Sequence, residues 1–320
     1  MMKTARLLLM FALVAAFSAA YAQTGKWPEK PVRIIIAAAP GGGDDFTTRL
    51  IAPKLGEQLG QQFIAENRAG VGGLIGQTFV QKSPADGYTW LLAGGSMAGA
   101  RHVNANVTYD VLRDFTPVSL LETAHFVMVV HPSVPAKTLK EYIALARSRS
   151  GNMTFATLGG QMPFWNALLF NSMAGLKAVE IPYKSVAEAA IDVMAGRVDY
   201  YFAPAATVAA NRDRLRALGV TGASRAPAFP DVPTIAEAAL PGYDLPAWRS
   251  IMGPAGIRRD IVDALNAAIR RTLAMPDIRD KMLSAGSEPQ PSSPEELGKR
   301  YAAWIALFDK VAKEAGIKPQ

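Results

Sequence analysis

Short β-branched runs alternate with helical stretches along this chain, and that alternation limits the fold more than any other feature. Residues 31–37, Pro-Val-Arg-Ile-Ile-Ile-Ala, form an apolar run that ends at Pro40-Gly41-Gly42-Gly43. This reads as a buried strand and its closing loop. Leu50, Ile51, Leu55 and Leu59 share a stripe that predicts a helix over residues 45–59, with Pro53 kinking it or loosening its first turns. A strand over 62–66, a glycine-rich turn and a helix over 73–82 follow. Asp86-Gly87 is then a turn into a strand over 88–93. Further strands are expected at 116–121, 126–131, 153–157, 179–182, 198–202 and 215–220. Strands interleaved with helices make an α/β protein whose sheets are mostly parallel and covered on both faces.

Helix starts are marked chemically. Thr138 with Glu141, Ser185 with Glu188, Thr234 with Glu237 and Ser293 with Glu296 have the spacing of capping boxes. Pro294 adds a favoured first-turn proline. Helical spacing also recurs over 261–273, and in the last helix at Leu297, Tyr301, Trp304, Ile305, Phe308 and Val311. Both stripes read as core packing. At 320 residues the chain suits two domains better than one. It has no internal repeat and no low-complexity linker, so strand crossovers are expected to join the domains.

Composition removes whole classes of chemistry. Half the residues are hydrophobic and 19% are charged, as in a globular protein. The absence of cysteine excludes disulfides, thiolate metal sites and cysteine nucleophiles. Three histidines, His102, His125 and His131, stand at no metal-binding spacing, so neither metal nor cofactor is expected. The net charge of +7 is spread along the chain. Its densest cluster, Arg212, Arg214 and Arg216 around Asp213, reads as a solvated helix end, and nucleic acid is not an expected partner.

The N-terminus reads as an address. Lys3 and Arg6 precede a continuous apolar run over 7–17, and Ala20-Tyr21-Ala22 places small residues at −3 and −1 of a cleavage site. The run falls short of the roughly 20 residues a membrane span requires, so residues 1–22 read as a cleaved secretory signal peptide. Cleavage leaves a chain starting at Gln23 with net charge +5. The reading points to a protein exported to the periplasm.

Candidate chemistry is sparse. Ser96, in Gly94-Gly95-Ser96-Met97-Ala98, sits where a nucleophile elbow would, but Ala98 replaces the last glycine and no acid–histidine pair is placed to activate the serine. Gly70-Val71-Gly72-Gly73-Leu74-Ile75-Gly76 reads as a tight turn into a helix, because it does not open the first βα unit. Pro40-Gly41-Gly42-Gly43-Asp44-Asp45 is the stronger signal. Its glycines let backbone N–H groups face an anion at a helix N-terminus, while an ordinary turn capped by Asp44 or Asp45 is the alternative. It lacks the Lys-Ser/Thr of a triphosphate loop. Gly159-Gly160 opens a second such loop. Two glycine loops facing each other would clamp a small carboxylate.

Those loops belong to a wider pattern. Trp27-Pro28, residues 30–35, Pro40-Gly41-Gly42-Gly43 with Asp45, residues 66–73, 85–89, 114–118, 181–184, 215–221, 229–234 and 253–256 occur in order along the chain. Together they resemble the periplasmic receptors of tripartite tricarboxylate transporters, the Bug family. The resemblance implies a non-enzymatic, two-domain periplasmic binding protein of type II-like fold, with its ligand cleft between the domains. It implies domain one at 23–124 plus 225–320, domain two at 125–224, and a last helix returning to domain one. The protein would act as a monomer, binding a small organic acid and delivering it to a permease of one large and one small membrane subunit.

The resemblance places the first clamp in the loop Ala38–Asp45, with Ala39, Gly41, Gly42, Gly43, Asp44 and Asp45 as candidate contacts, and the second in Thr157–Phe164, with Gly160, Gln161, Met162 and Phe164; Ser96 is a further ligand-binding candidate. Where the family usually has a hydroxyl after the glycines, this chain has Asp44. Where the second loop usually reads Gly-Ser-Thr-Ser-His, it reads Gly160-Gln161-Met162-Pro163-Phe164. That change implies a monocarboxylate or aromatic acid, held by one carboxylate and by apolar contact. Arg101 reads either as a charge partner for the ligand or as an exposed loop arginine. A receptor that signals to a sensor partner and an exported hydrolase using Ser96 are the other readings.

Overall fold

The computed structural model describes residues 27–149 and 151–319. The expected signal peptide lies outside the described residues. Among the described residues eleven strands form two sheets: β1 (Val32–Ile36), β2 (Phe63–Asn67), β3 (Thr89–Gly94), β4 (Phe115–Ala124), β5 (Phe126–Val130), β6 (Met153–Thr157), β7 (Ala178–Pro182), β8 (Tyr200–Pro204), β9 (Arg216–Val220), β10 (Ala247–Pro254) and β11 (Ser287–Pro289). The first sheet has the order β11-β4-β10-β3-β1-β2 and the second β7-β6-β8-β5-β9. The central strands are parallel, β1 with β2 and β3, and β6 with β7 and β8. Antiparallel strands complete one side of each sheet.

Among the described residues the helices of eight residues or more are α1 (Gly43–Leu59), α2 (Leu74–Gln81), α3 (Leu139–Ser148), α4 (Met162–Ala174), α5 (Val186–Met194), α6 (Arg259–Leu273), α7 (Pro276–Ser284) and α8 (Pro294–Glu314). None is long and apolar enough to cross a membrane.

The two-residue side-chain period of a strand sorts the core. Val32, Ile34 and Ile36 of β1 pack with Ile51 and Leu55 of α1 and Leu265 of α6, while Ile35 faces the opposite layer. In β5, Val127 and Val129 pack with Val193 of α5, while Met128 and Val130 join the layer that contains Ile35. That shared layer unites the two sheets. Its seam is α8, whose Leu297, Tyr301, Trp304, Phe308 and Val311 are all buried as their spacing predicts. The helix touches β4 and the turn Gly95–Gly99 on one side and α4 of the second sheet's half on the other.

The crossover between the sheets is brief. β4 ends at Ala124, β5 starts at Phe126, and the buried His125 alone lies between them. The return path runs alongside: Thr221 donates its N–H to Phe126 and accepts the Phe126 N–H on its hydroxyl.

The return comes later than the expected break at residue 225. Ala226 and Phe229 are buried in the second sheet's core, and Thr234 bridges to Val220 of β9. Tyr243 stacks on Phe202 and bonds to Asn166 in α4. The chain rejoins the first sheet only at β10, because these apolar side chains have their partners on the second sheet.

Three of the four expected capping boxes are complete, at Thr138, Thr234 and Ser293. Ser185 makes only the forward half, while Glu188 reaches the N–H of Lys184 instead. α1 runs through Pro53 without a break. Of the arginine cluster, Arg212 and Arg214 are exposed beyond the short helix Ala205–Ala209, but Arg216 is not at a helix end. Arg216 lies in β9 and donates to the carbonyls of Pro132, Val134 and Ala136, and Arg212 packs over the Phe229 ring.

Asp114, the residue before β4, supplies a pH-dependent contribution. The Arg113 guanidinium and the Asp110 N–H hold its pKa at about 2, below the ordinary 3.8. A carboxylate depressed on folding stabilises the fold above its unfolded pKa and loses that contribution as pH falls through the folded value. Asp114→Asn should therefore flatten the loss of stability between about pH 4 and about pH 2. Unfolding midpoints measured across that window check this; parallel curves for the two proteins would contradict it.

Candidate functional site

In open α/β sheets, ligands bind beyond the carboxyl ends of the strands, where connections leave in opposite directions. In the first sheet that switch lies between β1 and β3, so the loops leaving these strands define it: residues 37–42 and the turn Gly95–Gly99. In the second it lies between β6 and β8, and the loop leaving β6 is Leu158-Gly159-Gly160-Gln161. These are the two glycine loops identified in the sequence.

A cleft of about 900 Å³ opens at this edge. Ser96 and Met97 line it from the first sheet's half, and Gly159, Gly160, Gln161 and Phe164 from the second. Gly159 and Gly160 both have positive φ, 46° and 71°, which favours glycine. The Gly160 carbonyl accepts the Trp165 indole N–H at 3.0 Å, so the ring beneath holds the loop. A Cβ on Gly160 would strike Val103, a cleft residue of the first half.

The sequence reading missed part of the wall. Val71 and Gly72, in the segment read as a plain turn, line the cleft with Leu74 and Gln77. Residues 316–319, beyond α8, also line it, and Lys318 and Glu180 are its only charged lining residues among those described. Thr157 donates its hydroxyl to Glu180 at 2.5 Å. No local pattern marks a turn or a tail as part of a cleft; proximity comes from the fold.

The first glycine loop lies beside this cleft wall rather than in its lining. A Cβ on Gly73 would meet Ala37, and Asn67 donates to the Ala38 carbonyl. Ala39, Gly41, Gly42 and Gly43 are exposed. Neither acid caps α1 as expected, since the N-cap residue is Gly42 and no side chain bonds there. Asp45 is buried and folds back to accept the Gly41 N–H at 3.1 Å and the Arg49 guanidinium at 2.9 Å. The Gly41 N–H is the main cause of its lowered pKa. That N–H is used inside the loop. Met162 is also buried, packed into the shared core, because the first turn of α4 points it inward.

Asp44 meets a charge that the sequence reading left unassigned. Arg249, in the middle of β10, donates from Nε to Asp44 at 2.5 Å and from Nη1 to Glu122. Glu122 is wholly buried and also accepts from Thr47 at 2.9 Å and Ser287 at 2.8 Å. Burial opposes the charge on Arg249, but the two carboxylates outweigh it and raise its pKa. Arg101 instead lies outside the cleft lining, paired at 2.6 Å with Asp309 of α8, which His102 shares.

Nothing around Ser96 resembles catalytic machinery. It has no hydrogen-bond partner among the described residues, and the histidines are engaged elsewhere, His102 with Asp309, His125 with Glu288 and His131 with Ser133.

Comparison with known proteins agrees with this geometry. Residues 47–316 match the family described as tripartite tricarboxylate transporter family receptor, TctC. A UPF0065 protein from the tcbD-tcbE intergenic region of Pseudomonas sp. strain P51 is 34% identical, over 97% of this chain and 94% of its own length. BugT of Bordetella pertussis is 32% identical over 99% of both chains. The solved structure of R. palustris Rpa4515 with adipate superposes with a TM-score of 0.80, at 34% identity, covering 92% of this chain and all of that one. The two-sheet α/β architecture with its cleft is that of a type II periplasmic binding protein. The chain belongs to the TctC family of periplasmic receptors, whose members bind solutes for tripartite tricarboxylate transporters and are not enzymes.

Proposed function

We propose that this protein captures an organic acid carrying one carboxylate and an apolar or aromatic body. It passes that acid to a permease of one large and one small membrane subunit, acting as a monomer whose signal peptide is removed before Gln23. One lobe is built on the first sheet and the other on the second, with Ser96 facing Gly160, Gln161 and Phe164 across the ligand and the loop of Ala39, Gly41, Gly42 and Gly43 beside it. The composition of the cleft wall carries this reading. Val71, Leu74, Met97, Val103 and Phe164 offer apolar surface, glycine turns offer backbone, Gln77, Ser96, Asn104, Asn106 and Gln161 offer uncharged polar groups, and among the described lining residues Lys318 is the single cation against the single anion Glu180. Such a wall favours a small charge and a large apolar body over several carboxylates.

A thermal-shift and calorimetry series with hexanoate, benzoate, adipate and citrate tests it. A ligand that binds only the folded state adds about 2.7 kcal/mol of stability at a hundredfold excess over its Kd. Hexanoate or benzoate should bind more tightly than citrate. The reverse order would refute the single-carboxylate reading.

A further inference from the structure

We propose that Arg249, under the first glycine loop beside the cleft lining, receives the ligand's carboxylate, and that Asp44 is a resident anion which the ligand displaces. The inference rests on the reading above that the cleft takes an organic acid.

The position comes first. Arg249 is paired in register with Gly94, the last residue of β3, and so stands one residue from the turn that brings Ser96 to the cleft. Its side chain runs to the N-terminus of α1 and lies on the third glycine of the first loop. A Cβ on Gly43 would collide with Nη2. Gly43 begins α1 and has no positive φ, so the backbone there would accept any residue. The guanidinium, not the turn, is what requires glycine at this position.

The bonding pattern comes second. A guanidinium offers a carboxylate two parallel N–H groups along one edge. On Arg249 the Nε–Nη2 edge is half used: Asp44 takes Nε alone, and Nη2 has no acceptor among the described residues. The remaining nitrogen, Nη1, is tied to Glu122. Glu122 is wholly buried and held by Thr47 and Ser287 as well. One carboxylate thus aims the guanidinium permanently.

Asp44 is the weaker partner. Its side chain is 40% exposed and its carboxylate has one hydrogen bond. It sits in the first turn of α1, where the helix dipole favours an anion whether or not Arg249 is engaged. With Asp44 in place the three groups sum to one negative charge, which repels an incoming anion. With Asp44 turned away, Arg249 and Glu122 are neutral together and the Nε–Nη2 edge is free for one carboxylate. The device admits a single carboxylate at this spot.

Acetate, the minimal carboxylate, is the probe, read by side-chain 15N NMR of the arginines in the full-length protein. Acetate should shift the Arg249 Nε resonance, identified by its absence in Arg249→Lys. A charge-assisted hydrogen bond is worth about 1.5–3 kcal/mol, so Gly43→Ala, whose methyl displaces Nη2, should weaken acetate binding about ten- to a hundredfold. Asp44→Asn should strengthen it about tenfold, a gain that a purely structural ion pair would not produce. An unmoved Arg249 resonance in the unmodified protein, or acetate affinity unchanged by Asp44→Asn, overturns the proposal. Tight citrate binding with a shifted Arg249 resonance would sink the single-carboxylate reading of the cleft and leave this assignment standing.

Discussion

Truncating Arg249 to alanine should destabilise the fold by about 3–5 kcal/mol, because it strands a carboxylate in the interior. Glu122 has no access to solvent, and its remaining partners, Thr47 and Ser287, are neutral hydroxyls. Hydroxyls do not compensate a full buried charge. The cost should therefore depend on Glu122 rather than on lost contact area. Pairing Glu122→Gln with Arg249→Met removes both charges together and should recover most of the loss, since buried ion pairs replaced by apolar or neutral groups are often no less stable. Urea unfolding of the two single variants and the double variant decides it. A double variant as unstable as the sum of the singles would mean that the arginine contributes by packing.

Trp165→Ala should cost a similar amount, about 3–5 kcal/mol, for a different reason. The indole stacks on Phe308 of α8 with centroids 4.2 Å apart and planes 13° from parallel, and meets His102 edge-on at 6.2 Å. A Cβ on Gly99 would collide with it, so it fills the space between α4 and the turn after β3. Removing it leaves a void where the two sheets' halves meet, and a void at a rigid seam collapses only partly. Denaturant midpoints measure the cost. Trp165→Phe separates the indole N–H from the ring: it should retain most of the stability while releasing the Gly160 carbonyl. A midpoint for Trp165→Ala within about 1 kcal/mol of the unmodified protein would show that the seam relaxes.

The pattern of local and distant causes explains what was legible in the sequence. β1, β3 and β5 announced themselves because their alternate residues fill two apolar layers, so the runs are apolar apart from Arg33 and Thr89. The stripe of α8 and the caps at Thr138 and Ser293 are relations between residues three or four apart, and these survive without tertiary context. β10 did not announce itself, although it is central in its sheet. Arg249 and Ser250 interrupt its apolar run, and their partners are Asp44, Glu122 and Ala93. The Asp44–Arg249 pair spans 205 residues, and nothing local to either end foretells it. Both glycine loops were recognisable as loops. What they face was not, because Asp45 spends its carboxylate on the first loop's own backbone and Met162 turns into the core. The same limit hid the wall formed by Val71, Gly72 and the tail at 316–319, and the hold of Ala226 and Phe229 on the second sheet.

The seam also gives the molecule an optical signal of its own. Of its five tryptophans, Trp165 alone belongs to the second sheet's half. Its ring rests on Phe308 from the other side of the seam, and its N–H ends on the Gly160 carbonyl at the cleft. Indole emission responds to hydrogen bonding at the ring nitrogen and to the polarity around the ring. A solute that reorders the Gly160 loop should therefore alter the colour and yield of one identifiable fluorophore. Subtracting the spectrum of Trp165→Phe isolates that signal, so ligand screening needs no attached dye.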